Sequence, residues 1–152
     1  MTAKRHSVIP SSYLVLMKND KILLLRRFNT GYEDSNYSLI AGHVEYGETF
    51  VGCIIREAKE EGGIELRSED LNVVHVMHRK SHTASDNERI DVFFTAKKWD
   101  GNIVNKEPHQ CDDLSWFALE NLPKNIIPYI DHAIDNVKNK VFYSEYGWQN
   151  KQ

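Results

Sequence analysis

The chain has 152 residues, 41% hydrophobic and 27% charged, which is enough to close one well-buried domain. Its 19 Lys and Arg against 22 Asp and Glu leave a formal net charge of −3, which argues against polymeric nucleic acid as a partner. Two cysteines make no disulfide scaffold, and neither a secretory leader nor a run of 18 apolar residues is present, so we expect a single domain over 1–152, cytoplasmic and without a membrane segment.

Val8 to Met17 is apolar and β-prone, Lys18 to Lys21 carries turn residues, and Ile22 to Leu25 resumes the apolar run, which predicts a hairpin ending at Arg26 and Arg27. Asn29 to Asn36 is polar and reads as a loop, and Tyr37 to Ile40 as a short strand leading into Ala41-Gly42. From Thr49 a hydroxyl N-cap, an uninterrupted stretch and a glycine pair predict a helix from about Phe50 to Gly62. On it Glu57, Glu60 and Glu61 share one arc, beside a wall of Val51, Ile54, Ile55 and Ala58. Carboxylates so placed repel one another, and a hard divalent cation such as Mg²⁺ would relieve that repulsion and leave positions open for phosphates. Taken alone, an E-x-x-E-E run is most often a solvated acidic face.

The full spacing is more specific. Gly42, five residues, Glu48, seven residues, then Arg56-Glu57-Ala58-x-Glu60-Glu61-x-Gly63-Ile64 resembles the signature of the Nudix hydrolases, most closely their MutT-type branch. One departure stands at Ile40-Ala41-Gly42, where the family commonly has a proline first. The resemblance implies the Nudix fold, an α/β/α sandwich with a mixed β-sheet and a catalytic loop-helix-loop. It also implies Glu57, Glu60 and Glu61 as metal ligands, the Gly42 carbonyl as a further ligand, and Glu48 with Arg56 as structural support. Arg27 matches a phosphate-binding arginine, and His43 lines the mouth of the site within reach of a phosphate.

Past the helix, Leu71 to Arg79 and Arg89 to Trp99 are β-rich runs joined by the polar stretch Lys80 to Glu88, and the second should lie centrally in a sheet. His75, His78 and His82 match no zinc spacing and read as strand and loop residues at a pocket rim. The register W-x-G-(five residues)-E-(eight residues)-W, Trp99 to Trp116, is similar to the MutT-type arrangement and implies Glu107 as a ligand that orients or deprotonates water. Pro128 suits the first turn of a final helix with Ile130, Ala133, Ile134 and Val137 inward and Asp131 and His132 outward. The aromatic tail Val141 to Trp148 should pack on the body or on a second subunit, so a homodimer is left open.

The expectation is therefore an enzyme, a Mg²⁺-dependent pyrophosphohydrolase with Mn²⁺ as a substitute metal, turning a nucleoside triphosphate into a monophosphate and pyrophosphate. The alternatives are another nucleoside diphosphate derivative (ADP-ribose, a sugar nucleotide or a dinucleoside polyphosphate), a non-catalytic nucleotide sensor, or RNA 5′-end processing.

Overall fold

The computed structural model describes residues 3–80 and 88–148. The predicted His82 and most of the Lys80 to Glu88 connection lie outside the described residues. The strands are β1 (Ile9–Leu14), β2 (Met17–Lys18), β3 (Lys21–Arg27), β4 (Tyr37–Ser38), β5 (Ile40–His43), β6 (Leu71–Lys80), β7 (Glu88–Ala96), β8 (Cys111–Ala118) and β9 (Tyr143–Tyr146). The helices are α1 (Phe50–Gly62) and α2 (Pro128–Lys138).

Five strands form a mixed sheet in the order β5-β1-β7-β6-β9, with β1 parallel to β7 and β9 parallel to β6. The other four form a smaller sheet in which β3 pairs with β2, β4 and β8. Successive side chains on a strand point to opposite faces, and this divides the core in two. Leu14, Leu16, Val92 and Phe94 pack with Ile54 and Ala58 of α1, whereas Tyr13, Val15, Met77 and Phe93 pack with Ile130, Ala133 and Ile134 of α2. The α/β/α sandwich is thus present, with β7 at the centre of the larger sheet.

The first hairpin differs from its sequence expectation. Only β2 and β3 form it, through Asn19 and Asp20 at φ 52° and 60°, while β1 pairs with β5 and β7 instead. The chain changes sheet at Val15-Leu16. The Val15 amide donates to Phe94 O at 2.7 Å in one sheet, and Leu16 O accepts from the Leu23 amide at 3.0 Å in the other. Both side chains are buried, because this crossing point is walled on both faces. An unbroken apolar run reads the same whether it turns back on itself or passes between sheets.

The tail packs on the body. β9 extends the sheet beside β6, and the Trp148 indole donates to His78 O at 3.0 Å. His75 lies at no rim: it is fully buried, one ring nitrogen 2.7 Å from Val141 O and the other 2.7 Å from Ser144 Oγ, and it clamps β9 to β6.

Candidate active site

The centre of the site is the turn from β5 into α1. Thr49 caps the helix by accepting from the Gly52 amide at 2.9 Å, and the left-handed Gly63 (φ 67°) closes it by returning its amide to Lys59 O at 3.1 Å. Gly42 pairs with Ser12 across β5 and β1, and the Ser12 hydroxyl donates to Phe50 O at 2.8 Å, which fixes the start of α1 to the sheet.

Arg56 ties this turn together. Its Nε and Nη2 donate to the two oxygens of Glu48 at 2.8 and 3.0 Å, its Nη1 to Glu57 at 2.7 Å, and its Nη2 also to His43 O at 3.2 Å. This bidentate contact holds the Glu48 carboxyl down at about 2. Glu60 meets the same Nη1 at 3.3 Å from a half-exposed position. A Cβ at Gly42 would overlap the Glu57 carboxylate where it now lies, so glycine at 42 is what lets that acid lie over the turn.

Glu61 is the most perturbed acid. Burial pushes its carboxyl well above the ordinary range, and a hydrogen bond with Glu57 and the charges of Glu57 and Glu107 push it further; the Ala41 amide donates to it at 3.3 Å and opposes them in part. Two carboxyls share a hydrogen bond only while one keeps its proton, and a cation between them removes that requirement. The donor set is all oxygen, which suits a hard divalent ion. Among the described residues no three His, Cys, Asp or Glu side chains already converge into a finished metal cage, because Glu57 is turned to Arg56 and Glu61.

Glu107 arrives from the far side of the chain on a loop fastened to the end of α1. The Val104 and Lys106 amides donate to Gly62 O at 3.0 Å and Glu61 O at 3.2 Å, which satisfies carbonyls that a helix end leaves open. Asn105 accepts from the Glu107 amide at 3.0 Å and donates to Cys111 O at 2.7 Å, so the residue is clamped on both sides. Burial, then the charges of Glu57 and Glu60, raise the Glu107 carboxyl, with His109 opposing.

The structure thus brings Gly42, Glu48, Arg56, Glu57, Glu60, Glu61 and Glu107 together. Arg27 is held within the loop that follows β3: its Nε donates to Tyr32 O at 2.7 Å and its Nη2 to Thr30 Oγ1 at 3.0 Å. His43 Nε2 stands 2.8 Å from Arg89 Nη1. Because a guanidinium can only donate, Nε2 accepts and the imidazole proton is on Nδ1. Burial and the Arg89 charge both lower the pKa of this ring.

Sequence reading missed a buried polar group behind the site. Arg79 Nε donates to Asp91 Oδ2 at 2.7 Å, its guanidinium lies 3.7 Å from the Tyr129 ring centroid, and the Tyr13 and Tyr129 hydroxyls are 3.1 Å apart. Arg79 and Asp91 are 4% and 0% exposed. The available signal was an acid in the otherwise apolar core of β7 and a base near the end of β6, opposite charges on strands that pair.

A family profile described as NUDIX domain matches residues 9–137. Curated relatives include the NAD-capped RNA hydrolase NudC of Stutzerimonas stutzeri, 32% identical over 120 residues, which cover 75% of this chain and 38% of that protein. The protein of the same name from Pseudomonas aeruginosa is 33% identical over 116 residues, covering 75% and 37%. The chain therefore matches well under half the length of these relatives. Among solved structures, a MutT NUDIX hydrolase from Burkholderia pseudomallei superposes with a TM-score of 0.76 at 23% identity, covering 86% of this chain and 98% of that one. A MutT protein from Methanosarcina mazei Go1 gives 0.74 at 18%, covering 91% and 98%. At such identities the structural likeness speaks for the fold, while the profile match runs from the first strand of the sheet nearly to the end of α2, through every acid of the site: the chain belongs to the NUDIX domain family.

Proposed function

We propose that the chain is a Mg²⁺-dependent hydrolase of a nucleoside triphosphate, releasing a nucleoside monophosphate and pyrophosphate, with Mn²⁺ able to replace Mg²⁺. One observation carries this reading: the Glu57 carboxylate lies over Gly42 while the Glu61 carboxyl sits at the neighbouring Ala41 amide, 3.3 Å away, so two acids of one helix face meet at a single turn of backbone. Such an arrangement is unfavourable without a cation and favourable with one.

Glu57, Glu60 and Glu61, with the Gly42 carbonyl and Glu107, are the oxygens that would hold the metal. Bound there, a divalent cation supplies positive charge that acidifies water and neutralises a departing pyrophosphate. Glu107 is the residue to orient the attacking water or take its proton, because its loop is fastened to the end of α1 and clamped on both sides by Asn105. Arg56 keeps Glu57 in place through the 2.7 Å contact, with Glu48 anchoring the other edge of the same guanidinium. His43 offers its Nδ1 proton to a phosphate oxygen. Arg27 reaches a phosphate only by releasing Tyr32 and Thr30; otherwise it shapes the loop next to the site.

A second reading is favoured by the relatives named as NAD-capped RNA hydrolases. In it the bond cut is the diphosphate that joins two nucleosides. A panel of nucleoside triphosphates, ADP-ribose, sugar nucleotides, dinucleoside polyphosphates, NAD and NAD-capped RNA, each with Mg²⁺, ranks the two readings. Turnover of none of them would overturn both.

A further inference from the structure

Three strands carry a row of polar side chains across the face of the larger sheet that α2 covers. Ser11 of β1 is in register with His43 of β5 on one side and with Asp91 of β7 on the other. All three lie two residues along their strands from Ala41, Tyr13 and Phe93, which pack in the α2-side core, so all point to that face. The row begins at His43, one residue from Gly42, and runs inward from the acidic cluster.

Among the described residues, two atoms in this row are buried and find no hydrogen-bond partner, Ser11 Oγ and Asp91 Oδ1; their residues are 2% and 0% exposed. The other Asp91 oxygen is taken by Arg79. Buried polar groups left in this state cost stability and call for a ligand or a water. The contact from Arg89 Nη1 to His43 Nε2 joins β7 to β5 and must pass over β1, which lies between those strands, and it is an exposed hydrogen bond that a ligand can replace.

We propose that Ser11 and Asp91 are specificity-determining residues, which recognise the hydrogen-bonding edge of the substrate's nucleobase beneath the His43–Arg89 bridge. The carboxylate oxygen accepts from an N–H of the base, and the serine hydroxyl donates to the neighbouring ring nitrogen or carbonyl oxygen. A phosphate does not fit between Ser11 and Asp91, since the carboxylate repels it; phosphates belong to the acidic cluster, its cation and the outer, His43 end of the row. The inference rests on the hydrolase reading of that cluster, and it adds the part of the substrate which the cluster leaves unrecognised.

Binding of the four common nucleoside monophosphates to the full chain, measured by calorimetry without metal, tests the row independently of turnover. Failure of the hydrolase reading would show instead as no turnover of the substrate panel by a protein that still binds bases selectively. The informative variant is Ser11→Ala, because it removes a buried hydroxyl without a partner among the described residues and so should melt at or above the wild-type temperature. The expected result is a preference among bases in the wild type that Ser11→Ala compresses by roughly 5- to 10-fold, the discrimination one buried hydrogen bond provides. Asp91→Asn, wherever it folds, should change which base is preferred. Equal affinities in wild type and Ser11→Ala, uniform weakening for all four bases, or no binding of any monophosphate would each overturn the proposal, leaving the two atoms to a buried water.

Discussion

Gly42 lies directly beneath the Glu57 carboxylate, and the two are packed so closely that a single methyl group at position 42 would occupy the space of the acid. The overlap is with a side chain, so Gly42→Ala should fold. It should nevertheless push Glu57 off the turn and away from the Gly42 carbonyl. A displacement of about 1 Å at a reacting centre costs on the order of 100-fold in rate. Steady-state kinetics of Gly42→Ala should show that loss in kcat with little change in melting temperature; wild-type kcat would mean that Glu57 acts from elsewhere.

Glu57→Gln and Glu61→Gln test the cation directly. Glu61→Gln puts a neutral amide where burial and neighbouring acids disfavour a charge, so it should be no less stable than wild type without metal, whereas Glu57→Gln weakens the 2.7 Å contact with Arg56 and should lose a little. Saturating Mg²⁺ should raise the wild-type melting temperature, as any ligand that binds only the folded state does, and should raise that of the variants much less. Activity should fall by several orders of magnitude in Glu57→Gln. Equal metal-induced shifts in all three proteins would remove these acids from the cation site.

The extent to which all this was legible in the sequence follows from the range of the interactions. α1 could be read residue by residue, because its cap, its periodic apolar wall and its closing glycine are local features, and α1 forms from Phe50 to Gly62. The same holds for the start of α2 at Pro128. The first hairpin was misjudged because β1 takes its partners from β5 and from β7, some 80 residues away, and an apolar run does not name its partner. Arg79 and Asp91 illustrate the same point in the site: each looks like a solvated charge until β6 and β7 pair and bury both. The turn of Arg27 toward Tyr32 depends on the backbone of the loop that follows β3, with Asn29 and Glu33 at positive φ, which residue types alone did not reveal.

The clamp around Glu107 separates chemistry from placement. Glu107→Gln keeps the amide that Asn105 accepts and the carbonyl that the Gln110 and Cys111 amides reach at 2.9 and 2.8 Å, so the loop should hold its course while the base is lost. Its kcat should drop by about 100-fold or more, the usual worth of a general base. Asn105→Ala should do the reverse, leaving the carboxylate intact but loosening its position, with a smaller loss. A normal rate in Glu107→Gln would return that acid to an ordinary loop residue.

The Arg79–Asp91 pair should dominate the stability of the sheet's inner face. Arg79→Met leaves a buried carboxylate without its guanidinium and takes away the cation over Tyr129, and breaking a buried pair in this way costs about 3–5 kcal/mol. The double change Arg79→Met with Asp91→Leu removes both charges and should recover much of that loss. Chemical denaturation of the two variants gives the comparison; equal destabilisation would mean that packing, and not the unpaired charge, sets the cost.

His75 predicts how the fold responds to acid. Burial lowers its pKa from the ordinary 6.5, although the Val141 carbonyl pulls the other way. Neutral imidazole can donate from one nitrogen to Val141 O and accept on the other from Ser144 Oγ, whereas the protonated ring has two donors and loses the second contact unless the serine turns its lone pair inward. The folded protein thus binds this proton less readily than the unfolded chain. The stabilisation from His75 is therefore complete above the unfolded value of 6.5 and is lost as the pH falls below it through the lower folded value. Because the histidine joins β6 to β9, the tail strand should loosen first. The protection of the Tyr143 to Tyr146 amides, taken as exchange relative to the intrinsic rate at each pH and followed between about pH 5 and pH 8, should fall on the acid side in the wild type. The same strand in His75→Gln, held by a side chain that does not titrate, should show no such step.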